Sequence, residues 1–211
     1  MYLGSDKMKL LFATGNKMKY ELMKERLKPL TEIEVIIPKM LDLNIEVVED
    51  GLTPIENAIK KATVYFEATK LPVIAEDSGL YIDEFSDDEQ PGLFVKRVNG
   101  VEGLSDDEVI DHYINKLNEH GGKSLASYHT GVCLIDSEGN QFTDLIKETK
   151  FLLTAKKNEK EFVSGGCLDC ISYDLDANKY FNERTDEDKK LHYQDLDFKY
   201  RDLVSKYILK K

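Results

Sequence analysis

The apolar positions change period along the chain, and each change marks an element. Leu10-Leu11-Phe12-Ala13 is an unbroken apolar run, the pattern of a strand buried on both faces. From Lys17 to about Leu30, Leu22, Met23, Leu27 and Leu30 fall on one side at helical spacing. Glu34 to Ile37 reads as a second short strand closed by Pro38, and a loop is expected from Leu41 to Gly51. The clearest helix start follows at Thr53-Pro54-Ile55-Glu56. Thr53 can cap, Pro54 suits the first helical position, and Glu56 completes a capping box. Ile55, Ala58, Ile59, Ala62 and Phe66 then form an inward stripe. Leu71-Pro72 ends this helix, and Val73-Ile74-Ala75 reads as a central strand ending in Glu76-Asp77-Ser78-Gly79.

Ser105-Asp106-Asp107-Glu108 is a second capping box. It opens a helix with Val109, Ile110, Tyr113, Ile114 and Leu117 inward, and Gly121-Gly122 closes it. Two long strand-like stretches, Leu125 to Ile135 and Gln141 to Thr154, are joined by a turn at Asp136 to Asn140. The tail from about Leu196 to Leu209 reads as a helix. Strand–helix alternation followed by a long hairpin predicts a mixed α/β fold with a sub-lobe. Nothing repeats at a fixed period and no low-complexity linker divides the chain, so one domain over residues 1–211 is expected, with Met1 to Lys7 a leader without structure.

Composition narrows the function classes. With 29 Lys+Arg against 40 Asp+Glu, the net charge of −11 repels a polyphosphate backbone and argues against broad nucleic-acid binding. A small phosphorylated substrate stays compatible, given local lysines and a bridging divalent metal. No stretch approaches about 18 consecutive apolar residues, so no membrane span is expected, and the start lacks an apolar run of signal-peptide length. The expected location is the cytosol. Cys167-Leu168-Asp169-Cys170 is a lone CxxC in a glycine-rich turn late in the chain, with no second pair or histidines at ligand spacing; with Cys133, these read as ordinary thiols.

Three places could carry chemistry. At Thr14-Gly15-Asn16-Lys17 a strand gives way to a helix. Either this is a plain turn with solvated lysines, or the helix N-terminus, Gly15, Asn16, Lys17 and Lys19 present donors and positive charge to a phosphate. Glu56 is explained by its capping box alone; its alternative role is metal ligation. Glu76-Asp77 sets two carboxylates at the end of an apolar strand, which is costly unless they meet a metal, a donor or water. Ligands of open α/β sheets sit beyond such ends, so Asp77 is a candidate base or magnesium ligand. Gly121-Gly122-Lys123-Ser124 imitates the tail of a Walker loop, but Leu117 occupies the place of that loop's first glycine and a helix precedes it, so it is set aside.

Thr14-Gly15-Asn16-Lys17-Met18-Lys19 resembles the opening motif of the inosine triphosphate pyrophosphatase family, which also acts on xanthosine triphosphate. Thr53-Pro54-Ile55-Glu56-Asn57-Ala58-Ile59-Lys60-Lys61-Ala62 is similar to its second motif and Glu76-Asp77-Ser78-Gly79-Leu80 to its third. Pro91-Gly92-Leu93-Phe94-Val95-Lys96-Arg97 is similar to the segment that follows, and order and spacing agree over about residues 9 to 100. The resemblance implies Mg²⁺-dependent hydrolysis of a nucleoside triphosphate between the α and β phosphates. It also implies an elongated two-lobed α/β fold with a mixed sheet and a central cleft, related to the Maf fold and usually a homodimer.

By position, Asn16 and Lys19 would hold phosphates, with Thr14, Gly15, Ser78, Gly79 and Arg97 as further substrate contacts. Glu56 and Asp77 would bind metal. Asp77 would also activate water, supported by Glu76, with Lys61 steadying the charges. The C-terminal half departs from the family pattern. Gly165-Gly166-Cys167-Leu168-Asp169-Cys170 stands where the family carries an aromatic GFGYDP-like loop, and the base-reading lysine-asparagine and serine-histidine-arginine elements have no counterpart. Lys189, Lys190, His192, Lys199 and Arg201 read instead as solvated charges. The phosphate-handling half matches and the base-reading half is rewritten. Two rivals follow: a nucleotide-binding protein on this scaffold without turnover, and a Maf-like pyrophosphatase of modified or pyrimidine nucleotides.

Overall fold

The apolar run at Leu10 is β1 (Met8–Phe12) in a computed structural model that describes residues 7–161 and 166–211. All of the expected leader except Lys7 lies outside the described residues, as does Gly165. β1 pairs in parallel with β2 (Ile33–Ile36) on one side and with β3 (Val73–Ile82) on the other, so that Leu11 lies beside both Ile36 and Val73. Parallel neighbours need crossovers, and α1 (Lys17–Leu27) and α2 (Pro54–Thr69) provide them. The Thr53 hydroxyl caps α2 by accepting from the Glu56 N–H, and Lys70, at φ 57°, ends it.

The described chain divides into two compact units. The first holds the residues up to Asp77, Thr130–Ile146 and Asp195–Lys211. Its strand order is β2-β1-β3-β4, with β4 (Lys123–Ile135) also paired to β5 (Gln141–Lys147). Its core joins Leu11, Ala13, Val73 and Ala75 of the sheet to Ala58, Ala62 and Tyr65 of α2. The small residues let α2 lie close to the sheet. Gly131 of β4 lies against the start of α2, where an added Cβ would stand 2.3 Å from the Ile55 nitrogen.

The second unit holds Ser78–His129 and Lys147–Gln194. Its order is β3-β4-β6-β7-β8, with β6 (Phe151–Thr154), β7 (Ser172–Asp174) and β8 (Lys179–Tyr180) joined in antiparallel pairs from β4 onward. α3 (Asp106–Glu119) begins at the expected capping box, with both reciprocal bonds between Ser105 and Glu108 present. It packs Val109, Ile110, Tyr113 and Leu117 against Leu80, Phe151 and Leu153. Parallel and antiparallel pairs in one order make this the mixed α/β fold that the alternation predicted.

α1 ends at Leu27, short of the expected Leu30, β2 and β4 shift by one or two residues, and three larger differences stand out. β3 does not end in Glu76-Asp77-Ser78-Gly79 but continues to Ile82, because Leu80 and Ile82 renew the buried alternation beyond the polar stretch. The second arm of the hairpin is broken at Glu148-Thr149-Lys150, which offers no apolar side chain to a sheet face, so β5 and β6 are separate strands. The C-terminal helix α4 (Asp186–Tyr207) begins ten residues early. Thr185 and Asp188 cap it reciprocally, the Asp188 N–H donating to Thr185 Oγ1 at 3.2 Å and the Thr185 N–H to Asp188 Oδ2 at 2.8 Å. Asp186, Glu187 and Asp188 suit the positive end of the helix dipole.

Candidate active site

β1 stops at Phe12 while β3 runs on past it, and a cavity of about 990 Å³ lies at that level. Every residue lining it belongs to the first unit. Thr14, Gly15, Asn16, Lys19, Lys61, Glu76 and Asp77 all line it. Glu56, Ser78, Gly79 and Arg97 do not.

Neighbouring residues of a strand point to opposite faces, and the partners of the two carboxylates follow that rule. Glu76 meets α1 and α4: Oε1 lies 3.3 Å from Lys19 Nζ, and Oε2 accepts from the Tyr200 hydroxyl. Asp77 meets α2: Oδ2 accepts from Asn57 Nδ2 at 2.9 Å, and Oδ1 lies 3.6 Å from Lys61 Nζ. The strand residues are mostly sheltered, with side-chain exposures of 11% for Glu76 and 19% for Asp77. Each carboxylate therefore has one ammonium and one neutral donor.

Asn16 caps α1. Its Oδ1 accepts from the N–H groups of Met18 at 2.8 Å and Lys19 at 3.2 Å. Two of the helix-end donors that the sequence offered to an anion are thus taken by a side chain. A ligand contact from Asn16 would have to come from Nδ2. Gly15 leaves its backbone open, since a Cβ there would meet nothing within 4 Å.

Glu56 gives its N–H to the Thr53 cap, but its side chain does not close the expected capping box. It is exposed, and its Oε2 accepts from the Leu52 N–H at 2.7 Å. It belongs to a run of bonds that ties the preceding loop to α2. Lys61 pairs with Glu49 at 2.8 Å, Lys60 with Asp50, and the Gly51 N–H donates to Asn57 Oδ1 at 2.7 Å. Gly51 is required there, because a Cβ would meet Asn57 Oδ1 at 2.6 Å. Glu49 is thereby held within reach of Lys61, so one ammonium serves both Glu49 and Asp77. Burial, then the Glu49 charge, raise the pKa of the nearby Tyr65 hydroxyl.

Sequence reading missed Glu49, Asn57, Lys39, Asp42 and Tyr200. The first four lie in or beside an aperiodic loop or were explained by a helix, and Tyr200 is over a hundred positions from its partner. The acidic pair Glu49-Asp50 set against the basic pair Lys60-Lys61 was the one available signal. The lining residues include four lysines and five carboxylates, so an entering polyanion would need added positive charge beyond the lysines.

In the second unit Ser78 and Gly79 continue β3. Gly79 passes against Gly92, whose carbonyl carbon a Cβ would meet at 2.9 Å. Arg97 pairs with Glu102 at 3.0 Å and covers the Phe94 ring. Cys167 and Cys170 sit buried in a 3₁₀ turn, and burial pushes the Cys167 thiol up to about 11 and raises Cys170 as well. His192 is not a solvated charge. Its side chain is sheltered, with Nδ1 3.2 Å from Asp174 Oδ2, beside Arg184, which also reaches Asp174 at 3.2 Å. Burial and the Arg184 charge lower the His192 pKa. Lys189, Lys190 and Lys199 are exposed as expected, whereas Arg201 is partly buried and donates to the Arg26 carbonyl.

A model of the Ham1 family matches residues 10–189. The chain belongs to that family. Among similar proteins, one from Treponema denticola named dITP/XTP pyrophosphatase is 30% identical over 185 residues, covering 86% of this chain and 90% of that one. A protein of the same name from Lactobacillus johnsonii is 31% identical over 85% of this chain and 86% of its own. A shorter match, 40% identical to the Aquifex aeolicus protein of that name, spans 48% of each, about half the length of that relative. A solved HAM1 protein from Coxiella burnetii superposes with a TM-score of 0.74 at 24% identity over 92% of this chain and 99% of that one. The Staphylococcus aureus Ham1 protein superposes with a TM-score of 0.72 at 23% identity, over 93% and 97%. The family inferred from four motifs and the mixed α/β fold expected with it both hold.

Proposed function

We propose that this Ham1-family chain hydrolyses a non-standard purine nucleoside triphosphate, dITP or XTP, between the α and β phosphates, releasing the nucleoside monophosphate and pyrophosphate. It is then a house-cleaning hydrolase of the nucleotide pool. The observation that carries the reading is the convergence on one cavity of Asn16 and Lys19 from the first motif, Lys61 from the second and Glu76-Asp77 from the third. The names of relatives that align over most of both chains support the choice of substrate.

In this reading Lys19 and Asn16 Nδ2 hold phosphates at the Thr14-Gly15 turn. Asp77 takes the proton of the attacking water: Asn57 fixes Oδ2, and Oδ1 beside Lys61 is the receiving oxygen. Glu76 keeps Lys19 in place between turnovers. Lys61 offsets the charge of Asp77 and the phosphates.

Among the described residues no three His, Cys, Asp or Glu side chains gather closely enough to hold a metal by themselves. That suits magnesium, which takes one or two carboxylates and leaves the remaining positions to phosphate and water. Glu49, together with Asp77 through the oxygen that does not take the proton, would hold it. When bound, it would neutralise phosphate charge and polarise the reacting phosphorus. Glu56, engaged with Leu52, serves the loop that carries Glu49. Glu49→Gln is therefore expected to raise the Mg²⁺ concentration for half-maximal activity about tenfold, read from a metal titration of pyrophosphate release. Glu56→Gln, which keeps an acceptor for the Leu52 N–H, is the comparison, and a larger shift there would return the ligand role to Glu56.

Purified protein given dITP, XTP, the standard triphosphates and modified pyrimidine triphosphates should release pyrophosphate fastest from the first two. Orthophosphate without pyrophosphate would refute the assigned bond. Preference for the pyrimidines would favour the Maf-like rival, and binding without turnover the non-enzymatic one. Action in the cytosol, where these nucleotides arise, and a homodimer, tested by light scattering, belong to the same proposal.

A further inference from the structure

We propose that Tyr200 is a positioning residue that keeps Glu76 partnered while Lys19 transfers its ammonium from Glu76 to the phosphates of the ligand. The inference rests on the proposed function, since it names what prepares the phosphate-binding lysine of that site.

The two oxygens of Glu76 have separate partners, Oε1 facing Lys19 and Oε2 the Tyr200 hydroxyl. The partners differ in freedom. The Lys19 side chain is 37% exposed and sits on the first turn of α1. Tyr200 is 1% exposed and cannot leave. Its ring lies under the Arg26 guanidinium, 4.3 Å from the ring centre. Arg26 is in turn fixed by Asp197, with Nε 2.8 Å from Oδ1, and its carbonyl accepts from Arg201 at 3.2 Å. One turn of α4, Asp197 to Arg201, thus grips α1 and presents a hydroxyl to β3.

An ammonium paired with a sheltered carboxylate can move to a phosphate only if the carboxylate is not left unpaired, because an orphaned buried charge is costly. The Tyr200 hydroxyl remains on Glu76 whichever partner Lys19 has. It also occupies one oxygen, so Glu76 competes for Lys19 through a single oxygen instead of two. The bland alternative is a core tyrosine whose hydroxyl takes the nearest acceptor, which would affect stability alone.

Tyr200→Phe should raise KM for the triphosphate about tenfold with kcat nearly unchanged, as Glu76 holds Lys19 more firmly. In a Glu76→Gln background, where the competing charge is gone, the same substitution should leave KM within about twofold. Calorimetry with inorganic pyrophosphate and Mg²⁺ needs no turnover. There Tyr200→Phe should bind more weakly than the unmodified chain, and Glu76→Gln, which frees Lys19, more tightly. Unchanged KM and pyrophosphate affinity in a Tyr200→Phe protein that merely melts earlier would overturn the proposal. If that variant does not fold, equal or weaker pyrophosphate binding by Glu76→Gln overturns it instead. A chain inert towards every triphosphate would sink the proposed function, yet the pyrophosphate titrations would still be read separately.

Discussion

Asp77→Asn is expected to lower pyrophosphate release by about 10²–10⁴-fold, the usual contribution of a positioned general base, while the fold persists. The amide is nearly isosteric and still offers Asn57 Nδ2 an acceptor oxygen. Lys61 keeps Glu49 as a partner at 2.8 Å, so no buried ammonium is stranded. What is lost is one of two carboxylates beside Lys61 and, in the proposed mechanism, the acceptor for a water proton. Steady-state assays should place the loss in kcat, with thermal melting close to that of the parent. Activity within about tenfold of the parent would move the base elsewhere, and the role of Asn57 would reduce to packing.

Gly131→Ala should show the largest loss of stability. Its Cβ would stand 2.3 Å from the Ile55 nitrogen, 2.4 Å from the Pro54 carbonyl carbon and 2.7 Å from the Ile55 Cα. These are backbone atoms of the first turn of α2, so no side chain can rotate away. Either β4 or the helix start must shift. Overpacking of this kind costs about 3 kcal/mol or more, which for a chain of this size lowers Tm on the order of 6–12 °C. The same turn anchors Glu56 and Asn57, and with them the loop that carries Glu49. Activity should therefore fall even in the fraction that stays folded. Gly15→Ala is the contrast for stability: with nothing within 4 Å of the added methyl, melting should be unchanged. Scanning calorimetry of the two variants checks both statements, and a Gly131→Ala protein that melts like the parent would mean that β4 and α2 have slack the geometry denies.

Much of the candidate site was legible because it is local. A threonine cap and a proline at the first helical position act over three or four residues, so Thr53 and Pro54 announce α2 from the chain alone, whereas Asn16, read as a phosphate donor, also caps α1. Motif order likewise located Lys19, Lys61 and Glu76-Asp77. The start of α4 was equally local and was overlooked, since Thr185 and Asp188 carry the same signal with aspartate in place of glutamate.

Other decisions belong to tertiary structure. Capping and metal ligation were both open to Glu56 from the sequence, and only the fold shows that its side chain accepts from the Leu52 N–H. Asn57 looked like an ordinary helical residue, 3% exposed, and only the neighbouring strand makes it the donor that orients Asp77. His192 read as one charge in a solvated run until Asp174 and Arg184 enclosed it. The physical reason is range. Backbone conformation and capping are settled by near neighbours, whereas the partner of a carboxylate is set by which distant helix packs against its strand. For Glu76 that helix supplies Tyr200 from the far end of the chain, and no periodicity in the sequence connects the two.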